Sequence, residues 1–410
     1  MSPALRSFAW LDDRRHLRVI GADGRGTPRT SELRWGMWAK PPEDEVHSWP
    51  TWSPAGDLVA SFRLAQRGAQ GMTCRVQIAE PDGREVWEVA ELADRVPFYL
   101  QWSPDASSLA ALTQSGDQLH LDLVDPIGER PLDEVVAASP LFFHHAPDGR
   151  LVLHIGEAEG PPRVIVVQGQ ERRQIGGLPA SFCAPFVAGD RVIAAFAQGD
   201  GARLRAAPID GEGPSRELLE VHGLAAFLPS PDGRSLAYAV ARDGMGETYL
   251  GVESVDLATG ARHVITESSL MAFFWLPDGS GIIGASRTRA GTVRWARIDL
   301  HGRQTHLAEV FPTRDLRFYL RFFEQFALSH PLVDAESQAL VVAGGLVGEP
   351  DPRGTPRLWW VPLDGSGAEV IGEGVFGSFA SARNDGQRAR SPRPSTRPQA
   401  NNGPTEERWD

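Results

Sequence analysis

One short motif restricts the fold of this 410-residue chain more than any other feature. An aromatic or apolar residue is followed by Ser-Pro-Asp-Gly, or a relic of it, and then by a short apolar run. The clearest copies are Trp52-Ser53-Pro54-Ala55-Gly56 before Leu58-Val59-Ala60 and Trp102-Ser103-Pro104-Asp105 before Leu109-Ala110-Ala111. Pro147-Asp148-Gly149, Ser230-Pro231-Asp232-Gly233 and Trp275-Leu276-Pro277-Asp278-Gly279 continue the series. Two copies are worn, Phe186-Val187-Ala188-Gly189-Asp190 and Val333-Asp334-Ala335-Glu336-Ser337. The anchors fall near 52, 102, 145, 186, 229, 275 and 333, at intervals from the low forties to the high fifties. That is the length of one four-stranded propeller blade.

The motif's chemistry is that of a tight hairpin. Proline presets φ for the first central position of a type I turn, and glycine supplies the positive φ that closes it. The serine hydroxyl can cap a turn amide, and the aromatic belongs where sheets pack face to face. A second, weaker hairpin lies between anchors, as in Arg75-Val76-Gln77-Ile78 with Asp82-Gly83 and Val255-Asp256-Leu257 with Thr259-Gly260. Arg297-Ile298-Asp299-Leu300 with His301-Gly302, and Trp359-Trp360-Val361-Pro362-Leu363 with Asp364-Gly365, repeat it. Two hairpins per repeat give four strands, and one such unit leaves both faces wet unless the units stack in a ring.

The two ends complete each other. Phe8-Ala9-Trp10 reads as a second strand and Leu17-Arg18-Val19-Ile20 as a third, while Val375–Ala380 reads as a lone first strand. The expected fold class is therefore all-β, a closed β-propeller of eight four-stranded blades with the last blade shared between the N- and C-termini. Seven blades is the alternative if a worn copy is not a full blade. The propeller spans 1–380. Residues 381–410, rich in Arg, Pro, Ser and Asn without apolar periodicity, form an expected disordered tail made locally basic by Arg388, Arg390, Arg393 and Arg397.

The tandem Trp-Ser-Pro-Asp-Gly motifs resemble the WD40-like (PD40) repeats of TolB-type propellers, which also occur in the N-terminal propellers of prolyl oligopeptidase and dipeptidyl peptidase IV type enzymes. The resemblance runs over roughly residues 1 to 380 and implies a fold far more than a function. The Gly-His and Trp-Asp signatures of eukaryotic WD40 repeats are missing. No leader peptide like that of a periplasmic TolB is expected at this N-terminus, which sets the resemblance apart from a role in the Tol system. No Gly-x-Ser-x-Gly nucleophile elbow occurs, so the resemblance does not extend to peptidase activity.

Composition narrows the function classes. A formal charge of −12 opposes nucleic-acid binding, because no broad basic surface remains to neutralise phosphates. No stretch approaches the roughly 20 apolar residues of a membrane span, and no signal peptide is evident, which leads us to expect a cytoplasmic protein without membrane insertion. Lys40 is the single lysine among 41 basic residues, the codon bias of a GC-rich, bacterial genome. Cys74 and Cys183 form no metal-like spacing and read as two buried free thiols, with one long-range disulfide as the alternative.

Searching for chemistry returns no catalytic residues, no metal ligands and no cofactor site. His144-His145 is the one adjacent histidine pair, and His145 occupies an anchor slot, which favours packing over ligation. Asp12-Asp13 and Glu43-Asp44-Glu45 lack calcium-loop spacing and read as solvated turns. Two insertions stand out. Trp35–His47 lengthens a link between blades and offers a binding lip of Trp35, Trp38, Glu43, Asp44 and His47, or else a flap packing its own tryptophans. Arg314–Phe326 carries Phe318, Phe322 and Phe326 every four residues and Arg314, Arg317 and Arg321 at three and four, the spacing of one amphipathic helix over the channel. That helix is either a plug or a surface from which Arg317, Tyr319, Arg321 and Glu324 meet an anionic ligand or an acidic partner segment.

The leading functional expectation is a non-catalytic scaffold for an unidentified protein or peptide partner. The alternatives are a small-molecule-binding or hydrolytic enzyme with its site at the channel mouth, or a separate propeller subunit gating a peptidase-like partner. Carboxylates or histidines converging in the channel would favour the enzyme, and a sealed channel would favour the scaffold.

Overall fold

Each motif copy makes the turn its residues dictate. In the copy at Ser103, the hydroxyl donates to Asp105 Oδ1 (2.7 Å) and accepts the Ser108 N–H (3.0 Å), while Ala106 N–H closes onto Ser103 O (2.9 Å). Ser230 repeats this with Asp232 (2.6 Å) and Ser235 N–H (2.9 Å). Gly56 and Gly233 take φ of 62° and 67°, the left-handed geometry glycine adopts without strain. In the worn copy at 333, Asp334 replaces the serine, and its Oδ1 accepts the Gln338 and Ala339 N–H groups (2.7 and 2.9 Å).

The computed structural model describes residues 7–22, 28–32, 45–66, 72–83, 85–157, 160–180, 184–199, 201–242, 246–381 and 391–393. The chain opens with β1 (Phe8–Leu11), β2 (Leu17–Ala22) and β3 (Pro28–Glu32), whose sheet is completed by the last strand. Four-stranded meanders follow. The first contains β4 (Glu45–Trp52), β5 (Val59–Gln66), β6 (Met72–Ala79) and β7 (Val86–Ala93). The second contains β8 (Val96–Trp102), β9 (Leu109–Ser115), β10 (Gln118–Val124) and β11 (Asp133–Ala138). The third contains β12 (Leu141–His145), β13 (Leu151–Glu157), β14 (Gly160–Gln168) and β15 (Glu171–Ile175). The fourth contains β16 (Phe186–Ala188), β17 (Arg191–Gln198), β18 (Gly201–Pro208) and β19 (Arg216–His222). The fifth contains β20 (Ala225–Pro229), β21 (Ser235–Ala241), β22 (Tyr249–Asp256) and β23 (Arg262–Leu270).

A seven-stranded sheet then joins β24 (Ala272–Trp275), β25 (Gly281–Arg287), β26 (Val293–Asp299) and β27 (Gln304–Pro312) to β28 (Ala339–Leu346), β29 (Arg357–Pro362) and β30 (Glu369–Glu373). Between β27 and β28 lie two helices, α1 (Arg314–Arg321) and α2 (Phe323–Phe326). The final strand, β31 (Phe376–Phe379), pairs antiparallel with β1, Phe8 opposite Phe379 and Leu11 opposite Phe376. Both termini thus contribute to one sheet of order β3-β2-β1-β31, as the sequence leads one to expect. The worn copy at 333 leaves only an isolated bridge, Val333 to Leu340, where a first strand would lie.

Anchor residues end the first strand of their sheet at Trp52, Trp102, His145, Pro229 and Trp275, whereas Phe186 begins a first strand of three residues. Two anchor indoles sew a sheet to the one before it at equivalent positions. Trp102 Nε1 donates to Thr51 O (3.3 Å) and Trp275 Nε1 to Leu228 O (3.0 Å). These anchors are buried or half-buried between sheets, each worth about 1.5–3 kcal/mol of burial. Cys74 is buried and unpaired, and burial pushes its thiol up to about 12; Cys183 lies outside the described residues.

Two expectations about charge require correction. Asp12 is not a solvated turn residue: it is buried and accepts the Arg14 and His16 N–H groups and the Arg18 guanidinium. Glu45 is also buried, against Arg63. In the tail, Ser391–Arg393 packs on the body of the protein, with Ser391 buried, because carboxylates at two turns receive it. The remaining tail residues beyond Ser381 lie outside the described residues.

Candidate functional site

First strands lead into the Ser-Pro-Asp-Gly turns, and the helical insertion packs against aromatic residues of several of them. Thr313 caps α1, accepting the Leu316 N–H (3.1 Å) while donating to Val375 O (2.6 Å), and Asp315 stands in the first turn where the helix dipole favours an acid. The expected single helix over 314–326 is broken at Phe322, where φ −118° and ψ 30° leave helical geometry. The buried stripe differs from the predicted one as well: Leu316, Tyr319, Leu320, Phe323 and Phe326 face inward, while Phe318 and Phe322 lie half-buried on the flank.

This insertion fills the space between several first strands. Trp49 of β4 lies 4.6 Å from Phe326 and 5.6 Å from Phe318 between ring centroids. Phe98 and Tyr99 of β8 meet Phe318 (5.7 Å) and Phe326 (5.1 Å). Phe273 and Phe274 of β24 meet Phe323 and Tyr319, and Phe376 of β31 meets Tyr319 (5.5 Å). Tilted, edge-on and stacked rings of this kind add about 0.5–1.5 kcal/mol per pair beyond burial. Polar ties hold the same segment: Tyr319 Oη donates to His330 O (3.0 Å), and Thr51 Oγ1 donates to Ser329 O (2.8 Å).

Predicted site residues separate into three groups. Trp35, Trp38, Glu43 and Asp44 lie outside the described residues. Tyr319 and Glu324 face the interior and are corrected from surface contacts to packing groups. Tyr319 is fully buried, and Glu324 Oε1 accepts the Phe227 N–H of β20 (2.8 Å). Burial pushes the Glu324 carboxyl up to about 8, against the downward pull of that N–H. His47 is buried too, its Nδ1 3.0 Å from Ser61 Oγ; desolvation, then the Arg63 charge, lowers it to about 3, so it stays neutral. Beside it, Arg63 Nε donates to Glu45 (2.9 Å), and the guanidinium also pairs with Glu88.

Arg317 and Arg321 are exposed on α1 together with Arg314. Among the described residues no carboxylate lies within salt-bridge distance of any of the three. Arg321 rests over the Phe322 ring at 5.8 Å, and Arg317 makes only long contacts to Pro312 O at 3.4 Å. α1 therefore presents three exposed guanidinium groups beside half-buried Phe318 and Phe322.

Reasoning from sequence missed Arg15, which grips Asp315 of α1 by two hydrogen bonds (3.0 and 2.8 Å) across 300 positions. Nothing in the local sequence marks that pairing. His144 and His145 pack as expected: His144 Nδ1 accepts the Val187 N–H (3.2 Å), His145 meets the Phe143 ring, and burial lowers both, to about 3 and about 4. Among the described residues no group of three or more His, Cys, Asp or Glu is arranged to hold a metal ion, and no helix is long and apolar enough to cross a membrane.

No protein-family model and no curated protein matches the chain. Solved structures do. An oligogalacturonate lyase in complex with manganese matches at 15% identity and TM-score 0.52, over 84% of this chain and 95% of that one. TolB from Acinetobacter baumannii matches at 18% identity and TM-score 0.41, over 64% of this chain and 62% of TolB. Puromycin hydrolase matches at 15% and 0.43, and the chain spans 47% of its length. At such identities the likeness is one of fold alone. With sheets of successive meanders whose first strands share a plugged centre, the chain has a β-propeller fold similar to that of TolB-like propellers.

Proposed function

We propose that this propeller is a closed ring of eight blades acting as a non-catalytic scaffold, which receives an acidic segment of a protein or peptide on the outer face of its plug. The observation carrying this reading is the exposed, carboxylate-free trio Arg314, Arg317 and Arg321, held over a channel mouth already filled by aromatic rings. In a chain of net charge −12, three exposed cations gathered on one short helix attract an anionic partner and set its orientation. The eight-blade count takes β24–β27 and β28–β30 as two blades, with the Val333–Leu340 bridge standing for the missing first strand.

The test uses the full chain and a fluorescent polyglutamate peptide followed by anisotropy. Arg317→Glu/Arg321→Glu should weaken binding at least about tenfold with an unchanged melting temperature, since exposed charge pairs contribute about 1 kcal/mol each. Added salt should weaken the wild-type complex. Equal binding by both proteins, or none by either, would overturn the reading.

A further inference from the structure

The end of the ring opposite the plug carries its own occupied notch. In the regular motif copies the carboxylate sits two residues after the serine and is consumed within the turn, as Asp105 and Asp232 show. In the copy between β4 and β5 that position is Ala55, and the carboxylate is instead Asp57, two places further along. Ser53 Oγ still donates to Asp57 Oδ1 (2.9 Å), but both oxygens of Asp57 now also face the tail. Ser391 N–H donates to Oδ2 (3.1 Å) and Ser391 Oγ to Oδ1 (2.6 Å). Arg393 reaches Asp57 Oδ2 (3.8 Å) and pairs with Glu80, from the turn between β6 and β7. Ser391 is only 4% exposed, and the chain leaves β31 beside this turn, with Ala380 Cβ within 3.7 Å of where a Cβ on Gly56 would lie.

We propose that Asp57 and Glu80 form a binding notch for a basic Ser-Pro-Arg segment, and that its resident occupant is the chain's own tail, Ser391–Arg393. The displaced carboxylate is the specific feature: it gives this turn, unlike those at Ser103 and Ser230, an acceptor pair for one serine while a second carboxylate takes the arginine. Proline between them lacks an N–H and holds the backbone extended, so the serine and the arginine can both reach their partners. The latch is charge-assisted, which makes it releasable by salt or by a competing basic peptide.

The experiment compares full-length wild type, Arg393→Glu and Arg393→Glu/Glu80→Arg, using a labelled peptide with the sequence of residues 388–397. Arg393→Glu should empty the notch, so the peptide should bind that variant at least about tenfold more tightly than wild type. The double variant should lose peptide binding again. Glu80→Gln in place of Glu80→Arg should give the same loss if the reversal disturbs folding. Hydrogen exchange supplies a second readout, with the Ser391 amide protected in wild type and at least about tenfold less so in Arg393→Glu. Equal peptide binding by wild type and Arg393→Glu, no binding to either, or open-chain exchange at Ser391 in wild type would overturn the proposal. So would a concentration-dependent mass showing that the tail is exchanged between copies.

Discussion

Arg15 and Asp315 form a two-pronged ion pair, with Nη–Oδ distances of 3.0 and 2.8 Å, that fastens the first turn of α1 to the β1–β2 hairpin. Arg15 does this from a left-handed backbone (φ 63°), and its carbonyl accepts the His47 N–H (2.9 Å). One residue therefore orients the plug and the start of β4 together. A double-mutant cycle with Arg15→Ala and Asp315→Asn should show a coupling of about 1 kcal/mol in urea unfolding, the upper range for a partly exposed bidentate pair. Strictly additive single effects would mean that the pair does not hold the plug.

Glu324 gives the plug a pH signature. Its carboxyl is raised from an ordinary 4.5 to about 8 in the folded protein, so the native state holds a proton that the unfolded chain has released. The stabilising contribution is full below pH 4.5 and is lost as pH rises through about 8. Unfolding midpoints should fall between pH 6.5 and 8 in wild type and stay flatter in Glu324→Gln, whose amide oxygen can still accept the Phe227 N–H. Parallel profiles would show that Glu324 is not protonated in the fold.

Acid should act through the histidines in the opposite sense. Burial lowers His47 and His144 to about 3 and His145 and His330 to about 4, against 6.5 when unfolded. Their contribution is present above pH 6.5 and is lost as pH falls toward the folded values. His144→Gln should reduce the number of protons taken up on unfolding near pH 5, measured from the slope of stability against pH. An unchanged slope would place the charge uptake elsewhere.

Phe326 touches Trp49, Tyr99 and Tyr319 and has no exposed surface. Phe326→Ala should cost about 3–5 kcal/mol by cavity formation and lower near-ultraviolet dichroism from the surrounding rings. A loss below 1 kcal/mol would show that the plug is held by its polar ties alone.

Gly377 faces β1 so closely that an added Cβ would lie 2.4 Å from Phe8 Cζ and 3.2 Å from Trp10 Cβ. Gly377→Ala should therefore separate β31 from β1 or displace the Phe8 ring, lowering the melting temperature by several degrees. Gly372, with open space around it, is the control: Gly372→Ala should leave the melting temperature within a degree or two.

Local chemistry made most of the fold legible. The turn motif marked the ends of β4, β8, β12, β20 and β24 because proline and glycine restrict φ wherever they stand. The same reasoning failed where contacts distant in sequence decide. Spacing alone put Phe318, Phe322 and Phe326 on one face, yet the rings of Phe273, Phe274 and Phe376 select a stripe through Tyr319 and Phe323. Asp12 and Glu45 read as solvated acids because Arg18 and Arg63, which bury them, are not recognisable as partners until strands pair. The exposure of Arg317 and Arg321 was legible because an exposed helix face needs only helical periodicity. Arg15 was not, being 300 positions from its partner.

The pairing of Phe8 with Phe379 has a consequence for how the protein is made. A ribosome releases β1 long before β31, so that edge of the β1 sheet waits, unpaired, while all the intervening strands are made. Nascent chains halted before position 379 should recruit strand-capping chaperones or aggregate through that edge, whereas chains a few residues longer can seal it themselves.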